Sequence, residues 1–344
     1  MKYGIAFGLV VPRTGDMTWR DAVTDLVRVA PTLEQLGYES IHVTEHHFQD
    51  DGHNPSPLIV LAAVAAVTQR LELTTDILLA PLYNPVKLAE DTAVLDNICS
   101  GRLRLGVAPG YVTEEFAGLM VPYATRARRF EEVLDVLQLA WSSDTFSYDG
   151  EFFTIPETRL TPRPVQSAGI PLWYGVSGTL MLQRAAKRGC AWVGSPRHTI
   201  PELLDHLTTY RAACREHGYQ PTELPIMRGV FIAATREKAR EIAGPAVTHL
   251  FRELYGRKSA AGERPLRNDD GSIVDDAQTV DFDAFKDRYI IGTPEDAVER
   301  VQELRDKVGM TELVSWTQLP GLTGEQVLSS AELFAREVMP ALKD

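Results

Sequence analysis

The chain has 344 residues, with 35 Lys and Arg against 47 Asp and Glu, which gives a formal net charge of −12. This length allows one large domain or two ordinary ones, with a core that needs neither disulfides nor a metal. The acidic balance and the scattered basic residues argue against nucleic acids and anionic membranes as partners.

Cysteine usage and the first residues bear on the compartment. Cys99, Cys190 and Cys214 lie far apart, form no CxxC pair and are odd in number, which suits a reducing cytoplasm. The first apolar run is short and is interpreted as a buried strand, with no signal peptide and no membrane span. We therefore expect a cytoplasmic protein.

Apolar β-rich runs alternate with longer runs of helical spacing along most of the chain, as in βα units around a parallel sheet. The predicted strands cover residues 3–10, 40–46, 71–79, 103–108, 172–177, 190–195, 225–233 and 312–318. The predicted helices cover residues 20–36, 56–69, 85–99, 125–141, 179–188, 199–217, 236–256, 294–308 and 323–338. Eight strands without a break in composition favour a single domain over residues 1–344, folded as a (β/α)8 TIM barrel, with an open doubly wound sheet as the alternative.

Two segments interrupt this alternation. Residues 146–155, FSYDGEFFTI, predict a hairpin that turns at Asp149 and Gly150. Residues 257–283 are mostly polar and poor in apolar anchors, so we expect an insertion that acts as a lid, with a disordered loop as the alternative.

The stretch Val43 to Pro57, VTEHHFQDDGHNPSP, follows the second predicted strand. Catalytic groups of a parallel barrel lie at the carboxyl ends of its strands, and the alternation of a strand places His46 over the mouth. Three interpretations remain open at this point: a histidine hydrogen-bonded at the rim, a zinc ligand, and an acid or base. No HExxH or CxxC spacing supports zinc.

The ends of strands four and five carry small and polar residues. Ala108 to Tyr111 would let a flat ligand approach the backbone, although Gly110-Tyr111 is also ordinary loop sequence. Ser177, Gly178 and Thr179 precede a helix and would form a phosphate cradle, with a plain helix cap at Ser177 as the alternative.

A third candidate for phosphate contact opens the fourth predicted helix. Arg126 begins a cluster that would reach a phosphate or would only pair with nearby glutamates on a solvated face. The sequence contains neither a GxGxxG dinucleotide motif nor a P-loop.

Four segments together give a resemblance to a known family: GYESIHVTEHHF, LYNPVKLAEDTAVLDNICSGRLRLGVAPGY, YIIGTPEDAVERV and SAELFAREVMPAL. In this order they resemble the luciferase-like flavin monooxygenases, which include the bacterial luciferase α subunit. The resemblance runs from Met1 to about Leu342 and is weakest over 240–285. It implies a (β/α)8 barrel that binds reduced FMN, supplied by a separate reductase, at the carboxyl ends of the strands.

The resemblance also assigns residues. His46 matches the catalytic histidine, and Ser177, Gly178 and Thr179 match the phosphate-binding turn. Arg126 is the best match for a phosphate-binding arginine.

Further positions match the surroundings of the flavin ring. Asp76 and Ile77 match a site that often has a non-proline cis peptide, and Asn97 matches a polar position near the ring. Ala108 and Tyr111 are expected beside the cofactor. The implied reaction is oxygenation of a small organic substrate by O₂ through a C4a-hydroperoxyflavin, in a homodimer and without a metal.

The chain departs from the luciferases at three positions. Ala108 and Pro109 replace their reactive thiol and a phosphate-contacting arginine, and Ser177 replaces a glutamate. Light emission is therefore not expected. Two alternatives to an FMN monooxygenase remain: an oxidoreductase that uses F420 for hydride transfer, and a flavin-binding subunit without turnover.

Overall fold

The computed structural model describes residues 1–12, 17–50, 52–255, 267–276, 279 and 281–343. Within these ranges the strands are β1 (Lys2–Phe7), β2 (Ser40–Val43), β3 (Glu72–Leu79), β4 (Leu103–Ala108), β5 (Phe146–Asp149), β6 (Thr154–Thr158), β7 (Leu172–Tyr174), β8 (Ala191–Trp192), β9 (Pro225–Ile232), β10 (Ile290–Gly292) and β11 (Glu312–Gln318). The helices are α1 (Trp19–Gln35), α2 (Pro57–Ala65), α3 (Pro85–Ile98), α4 (Thr113–Gly118), α5 (Arg126–Ser142), α6 (Thr179–Lys187), α7 (Ile200–Glu216), α8 (Arg236–His249), α9 (Pro294–Val308), α10 (Gly324–Leu333) and α11 (Met339–Ala341). Two π-helical turns, Leu250–Tyr255 and Phe334–Val338, continue α8 and α10.

Nine strands form a curled parallel sheet in the order β10-β9-β11-β1-β2-β3-β4-β7-β8. Just beyond β8, Gly194 donates its N–H to the carbonyl of Pro225 and accepts from the N–H of Met227, each at 2.9 Å. The continuation of β8 is therefore hydrogen-bonded to β9, which lies one strand from the other end of the sheet.

The helices cover the sheet with one apolar face each. In α1 the buried side chains are Ala22, Leu26, Val29, Ala30 and Leu33, spaced three and four residues apart as one face of a helix requires. Capping boxes start several helices: the Thr18 hydroxyl accepts from the Asp21 N–H, and the Asp21 side chain accepts from the Thr18 N–H. These caps set the points at which the chain leaves the loops at the carboxyl ends of the strands.

The predicted alternation of strands and helices is confirmed, and so is the hairpin, because β5 and β6 pair antiparallel. The second strand is shorter than predicted, because β2 ends at Val43. Beyond it, Asn54 of the following loop hydrogen-bonds to the backbone: the Asn54 side-chain amide donates to the carbonyl of Thr44, and the Asn54 carbonyl accepts from the His46 N–H.

Two short elements were not predicted. Strand β10 has only three residues, too few for a period of two to be recognised, and α4 has six. Both form through their neighbours, since β10 pairs in parallel with Val230 to Ile232 of β9.

Much of the predicted lid over 257–283 lies outside the described residues, namely 257–266, 277, 278 and 280. In its described part, Arg267 and Ile273 form an antiparallel bridge. Asp269 accepts from the buried Arg288 guanidinium at 2.9 Å. This part is therefore anchored to the chain just before β10.

Candidate active site at the carboxyl ends of the strands

A cavity of about 620 Å³ opens at the carboxyl ends of the parallel strands. Loops that follow neighbouring strands of a parallel sheet meet at this edge, so residues far apart in sequence come together there. Residues at the carboxyl ends of β2, β3, β4, β7 and β8, or in the loops that follow, supply most of its wall, namely Thr44, Glu45, His46, His53, Asp76, Ile77, Leu79, Ala108, Pro109, Gly110, Tyr111, Gly175, Val176, Ser177, Val193, Gly194, Ser195, Pro196, Arg197 and His198.

His46 presents an oriented imidazole to this cavity. Its Nδ1 lies 2.7 Å from Oε1 of Glu115, a fully buried side chain of α4. An ionised carboxylate only accepts, so Nδ1 of His46 is the donor in this pair. Nε2 lies 3.5 Å from the Tyr111 hydroxyl at the cavity wall. The pair therefore has the arrangement of a general base with its orienting carboxylate.

The neighbouring residues Glu45 and His47 form a second pair, which supports the loop. His47 Nε2 lies 2.7 Å from Oε1 of Glu45, which also accepts from the Tyr83 hydroxyl and the Leu79 N–H. Burial raises the pKa of Glu45 despite these hydrogen bonds. Burial alone would lower the pKa of His47, but the Glu45 carboxylate outweighs it and the pKa is raised. Strand alternation stops at Val43, and Glu45 therefore lines the cavity as well as His46.

Part of the cavity wall is formed by a bend in β3. The peptide bond between Asp76 and Ile77 is cis, as the sequence resemblance implies for this position. The facing strands carry glycines: a Cβ at Gly175 would lie 2.3 Å from Cγ1 of Ile77, and one at Gly106 would lie 2.3 Å from the Thr75 carbonyl. These glycines let the bent strand approach its neighbours, because they have no side chain to project from the wall.

The start of α6 offers N–H groups and a hydroxyl. Ser177 lines the cavity, and Gly178, with φ of 95°, leads into the helix without a side-chain cap. Thr179 is the first helical residue. Across the cavity mouth Arg126 also lines the wall, where its guanidinium stacks on Tyr123 at 3.8 Å and donates to the Tyr123 carbonyl.

The structure brings together most of the predicted site residues. Those that line the cavity are His46, Asp76, Ile77, Ala108, Tyr111, Arg126 and Ser177. Gly178 and Thr179 follow directly in the chain but are not part of the wall. Asn97 is not near the cavity: it lies at the end of α3, where its side chain donates to the carbonyls of Ala93 and Arg163 at 2.8 and 2.7 Å. That end of α3 leads into the amino end of β4, away from the cavity, so Asn97 does not support the assignment implied by the resemblance.

Sequence reasoning missed the partner of His46. Glu115 stands in the short helix α4, and its approach to His46 depends on how the loop after β4 folds across the loop after β2. The only signal in the sequence is a pair of acidic residues, Glu114 and Glu115, shortly after a strand end. Arg197 was missed as well; it lines the cavity beside Tyr255, 5.2 Å from the ring centroid.

A buried arginine holds the cavity loop that contains Arg197. Arg228 of β9 donates to the carbonyls of Ser195 and His198 at 3.0 and 3.1 Å. Burial lowers the pKa of Arg228 to about 10. The loop therefore has a fixed course along the cavity wall.

Two further features concern a metal site and a membrane-spanning helix. Among the residues that the structure describes, no group of three or more His, Cys, Asp or Glu side chains is arranged to hold a metal ion. No described helix has the length and apolar character needed to cross a membrane.

The comparison with protein families matches residues 1–312 to a model described as luciferase-like monooxygenase. The chain belongs to this family. A curated relative, the oxygenase component of a flavin-dependent trigonelline monooxygenase from Acinetobacter baylyi, is 24% identical over 337 residues, which are 95% of this chain and 92% of the relative.

Solved structures share the fold over the full length. Monooxygenase RslO1 from Streptomyces bottropensis superposes with a TM-score of 0.87 at 24% identity and covers 100% of both chains. The oxygenating constituent of 3,6-diketocamphane monooxygenase from Pseudomonas putida, a type II Baeyer–Villiger enzyme in complex with FMN, gives 0.82 at 22% identity, over 99% of this chain and 98% of that one. An F420-dependent secondary alcohol dehydrogenase gives 0.77 at 18%, over 100% and 99%.

Proposed function

We propose that this protein is the oxygenase component of a two-component monooxygenase, which uses reduced FMN and O₂ to oxygenate a small organic substrate. A separate flavin reductase would supply the reduced FMN. The observation that carries the proposal is the His46–Glu115 pair at 2.7 Å, which lies at the wall of the cavity.

The residues of the cavity fit a flavin. The wall around Ile77, Ala108 and Gly175 is made of small or apolar groups, suited to a flat aromatic ring. Ser177 and the uncapped first turn of α6 suit a phosphate group, and Arg126 adds a positive charge at the mouth. In this proposal Asp76, Ile77, Ala108 and Tyr111 contact the ring, whereas Ser177, Gly178, Thr179 and Arg126 hold the phosphate.

Reduced FMN supplies the activation of O₂ when it is bound. The chain contributes position, exclusion of water and a proton acceptor or donor. Glu115 keeps the ring proton of His46 on Nδ1, so that Nε2 accepts a proton from the reacting group and returns it later. Tyr111, 3.5 Å from this nitrogen, restricts its access to one side of the cavity.

The proposal includes the architecture around the site. Eight of the parallel strands, excluding β10, would form a closed (β/α)8 barrel through the hydrogen bonds at Gly194, and the whole chain would act as one domain. All three cysteines are free and buried, which supports a cytoplasmic location.

We also propose a homodimer. Apolar side chains are exposed on α2 and α3: Ile59 is 73% exposed, Ile98 52% and Val94 43%. The two helices pack side by side, and burying their outer faces against a second copy would remove this apolar surface from water. Sedimentation analysis of the wild type and of Ile59→Glu tests this: the variant should be monomeric, and a monomeric wild type would end the proposal.

The alternative is an oxidoreductase that uses F420 for hydride transfer, and the F420-dependent dehydrogenase with the same fold favours it. An anaerobic titration with reduced FMN and with reduced F420, each followed by air, separates the two. Tight binding of reduced FMN with rapid consumption of O₂ supports the monooxygenase. Preference for F420 without O₂ consumption supports hydride transfer, and binding of neither contradicts both.

A further inference from the structure

Beneath the cavity a line of polar side chains runs inward from Asp76. We call Asp76, His42, Ser40, Glu312 and Arg104 the inner column; each is at most 6% exposed. His42 Nδ1 lies 3.2 Å from Oδ2 of Asp76, and its Nε2 lies 2.8 Å from the Ser40 hydroxyl. Ser40 donates to Oε1 of Glu312 at 2.7 Å, and Arg104 lies 3.6 Å from the other oxygen of Glu312. Only Asp76 lines the cavity.

Two carboxylates of the inner column lie beside His42 and favour its protonated form. Asp76 faces it from β3, Glu312 from β11 at 3.5 Å, and the Trp173 ring from β7 at 5.9 Å. Gly4 of β1 leaves the space it needs, since a Cβ there would lie 2.8 Å from His42 Nε2.

The charges of the inner column also favour a protonated His42. Asp76 and Glu312 bring two negative charges, and Arg104 brings one positive charge. Within these five residues the charges cancel when His42 is an imidazolium, while Arg104 is shared with Glu72 at 2.6 Å and Glu223 at 3.5 Å outside the column. Burial by itself would lower the pKa of His42, but the two carboxylates outweigh it, and the pKa is raised.

The inner end of the column is closed to proton exchange. The Arg104 guanidinium has donors and no acceptor, and it separates Glu312 from the partly exposed carboxylates of Glu72 and Glu223. The Trp173 ring lies 4.2 Å from the guanidinium and covers it. The proton on His42 therefore has one outlet, through Asp76 into the cavity.

We propose that His42 and Asp76 form a proton-holding pair in the cavity floor, which gives one proton to an anion bound over Asp76 while the cavity is shut off from water. In this step the Nδ1–H bond of His42 breaks, an O–H bond forms on Asp76, and that proton passes to the basic atom of the anion. No electrons are transferred, and His42 is left neutral. The identity of the anion, a reduced flavin or a group formed from it, rests on the proposed function; the pair itself does not.

The ligand-free protein tests the pair directly by ¹⁵N NMR of histidine-labelled samples, in which the variant His42→Gln identifies the His42 signals. We expect the His42 signals to titrate at a higher pH than those of an ordinary histidine. Asp76→Asn should move its titration to lower pH, and Glu312→Gln serves the same purpose if Asp76→Asn does not fold. The exposed Asp91→Asn is the matched control and should change nothing. A neutral His42 at pH 7 in the wild type would overturn the proposal.

The same ¹⁵N signals, recorded anaerobically with FMN bound, test the connection with the ligand. At a pH where His42 is protonated in the ligand-free protein, reduced FMN should convert it to the neutral imidazole, because its proton passes to the bound anion, whereas oxidised FMN should leave it protonated. Asp76→Asn should remove this difference between the two redox states. A His42 that stays protonated with reduced FMN bound would exclude the transfer step. Absence of FMN binding would contradict the proposed function and leave the result for the ligand-free protein standing.

Discussion

His42 and His46 lie four residues apart, both beside carboxylates, yet the fold gives them opposite surroundings. His46 lies beside Glu115 and lines a 620 Å³ cavity. His42 lies beside Asp76 and the Ser40–Glu312 pair and has no exposed surface. A ring at the cavity wall suits a group that exchanges protons with a ligand, whereas a fully buried ring beside two carboxylates suits a group that holds its proton.

The comparison indicates that burial and access to the cavity, more than the residue type, set the role of each histidine. Strand β2 ends at Val43, so His42 is fixed within the sheet while His46 stands on the loop after it. Each of the following changes acts on one of the two sites and is predicted to leave the other intact.

The largest expected effect is on His46. Replacing it with Ala removes the acid or base from the cavity, and the rate of substrate oxygenation should fall by about 10²–10⁴-fold, the usual contribution of such a group. Binding of reduced FMN should change little, because the imidazole is not part of the phosphate or ring contacts proposed above. Steady-state rates and an anaerobic titration measure the two quantities. Unchanged rates would remove His46 from the mechanism.

Gly4→Ala should destabilise the fold by crowding the inner column. The new Cβ would lie 2.3 Å from the Ser40 hydroxyl and 2.8 Å from His42, so the column must shift. We expect a loss of about 1–3 kcal/mol in the free energy of unfolding, as for other overpacked cores. Gly244→Ala in α8 is the control: its Cβ would meet nothing closer than 3.7 Å, and a gain of up to about 1 kcal/mol is expected. Chemical denaturation measures both, and equal stabilities would refute the crowding argument.

Glu115→Gln tests whether Glu115 orients His46 at the cavity. The amide keeps the size of the side chain but fixes His46 less reliably in the productive tautomer, because it presents both a donor and an acceptor. The oxygenation rate should fall by roughly 10–100-fold, the range for residues that orient a functional group. Glu114→Gln, its neighbour in α4, is the matched control and should retain the wild-type rate. If both variants lose activity equally, the effect belongs to the helix and not to the hydrogen bond.

The order of elements was predictable, because buried parallel strands are apolar runs and the helices show a period of 3.6. The column was not predictable: Asp76, Arg104 and Glu312 belong to three other strands, and only the sheet brings them to Ser40 and His42 of β2. Likewise, His46 was recognised from its neighbours in sequence, whereas its partner Glu115 lies 69 positions later. Asn97 is the opposite case: its position in the sequence matches the family, but its side chain lies outside the cavity.

The smallest expected effect is a pH dependence at the inner site. The pKa of His42 is raised in the folded protein, so its stabilising contribution is complete below the unfolded value near 6.5 and is lost as pH rises through the folded value. The Tm difference between the wild type and His42→Gln should therefore be larger at about pH 6 than at about pH 9. A difference that grows with pH would mean that His42 is held neutral.

The fate of O₂ tests the central claim most directly. The protein with reduced FMN is mixed with O₂ labelled with heavy oxygen and with a panel of small ketones and aldehydes, and the products are analysed by mass spectrometry. The account predicts one labelled oxygen atom in the product, formed by the wild type and strongly reduced in His46→Ala. An unlabelled product reduced or oxidised by hydride transfer would contradict it.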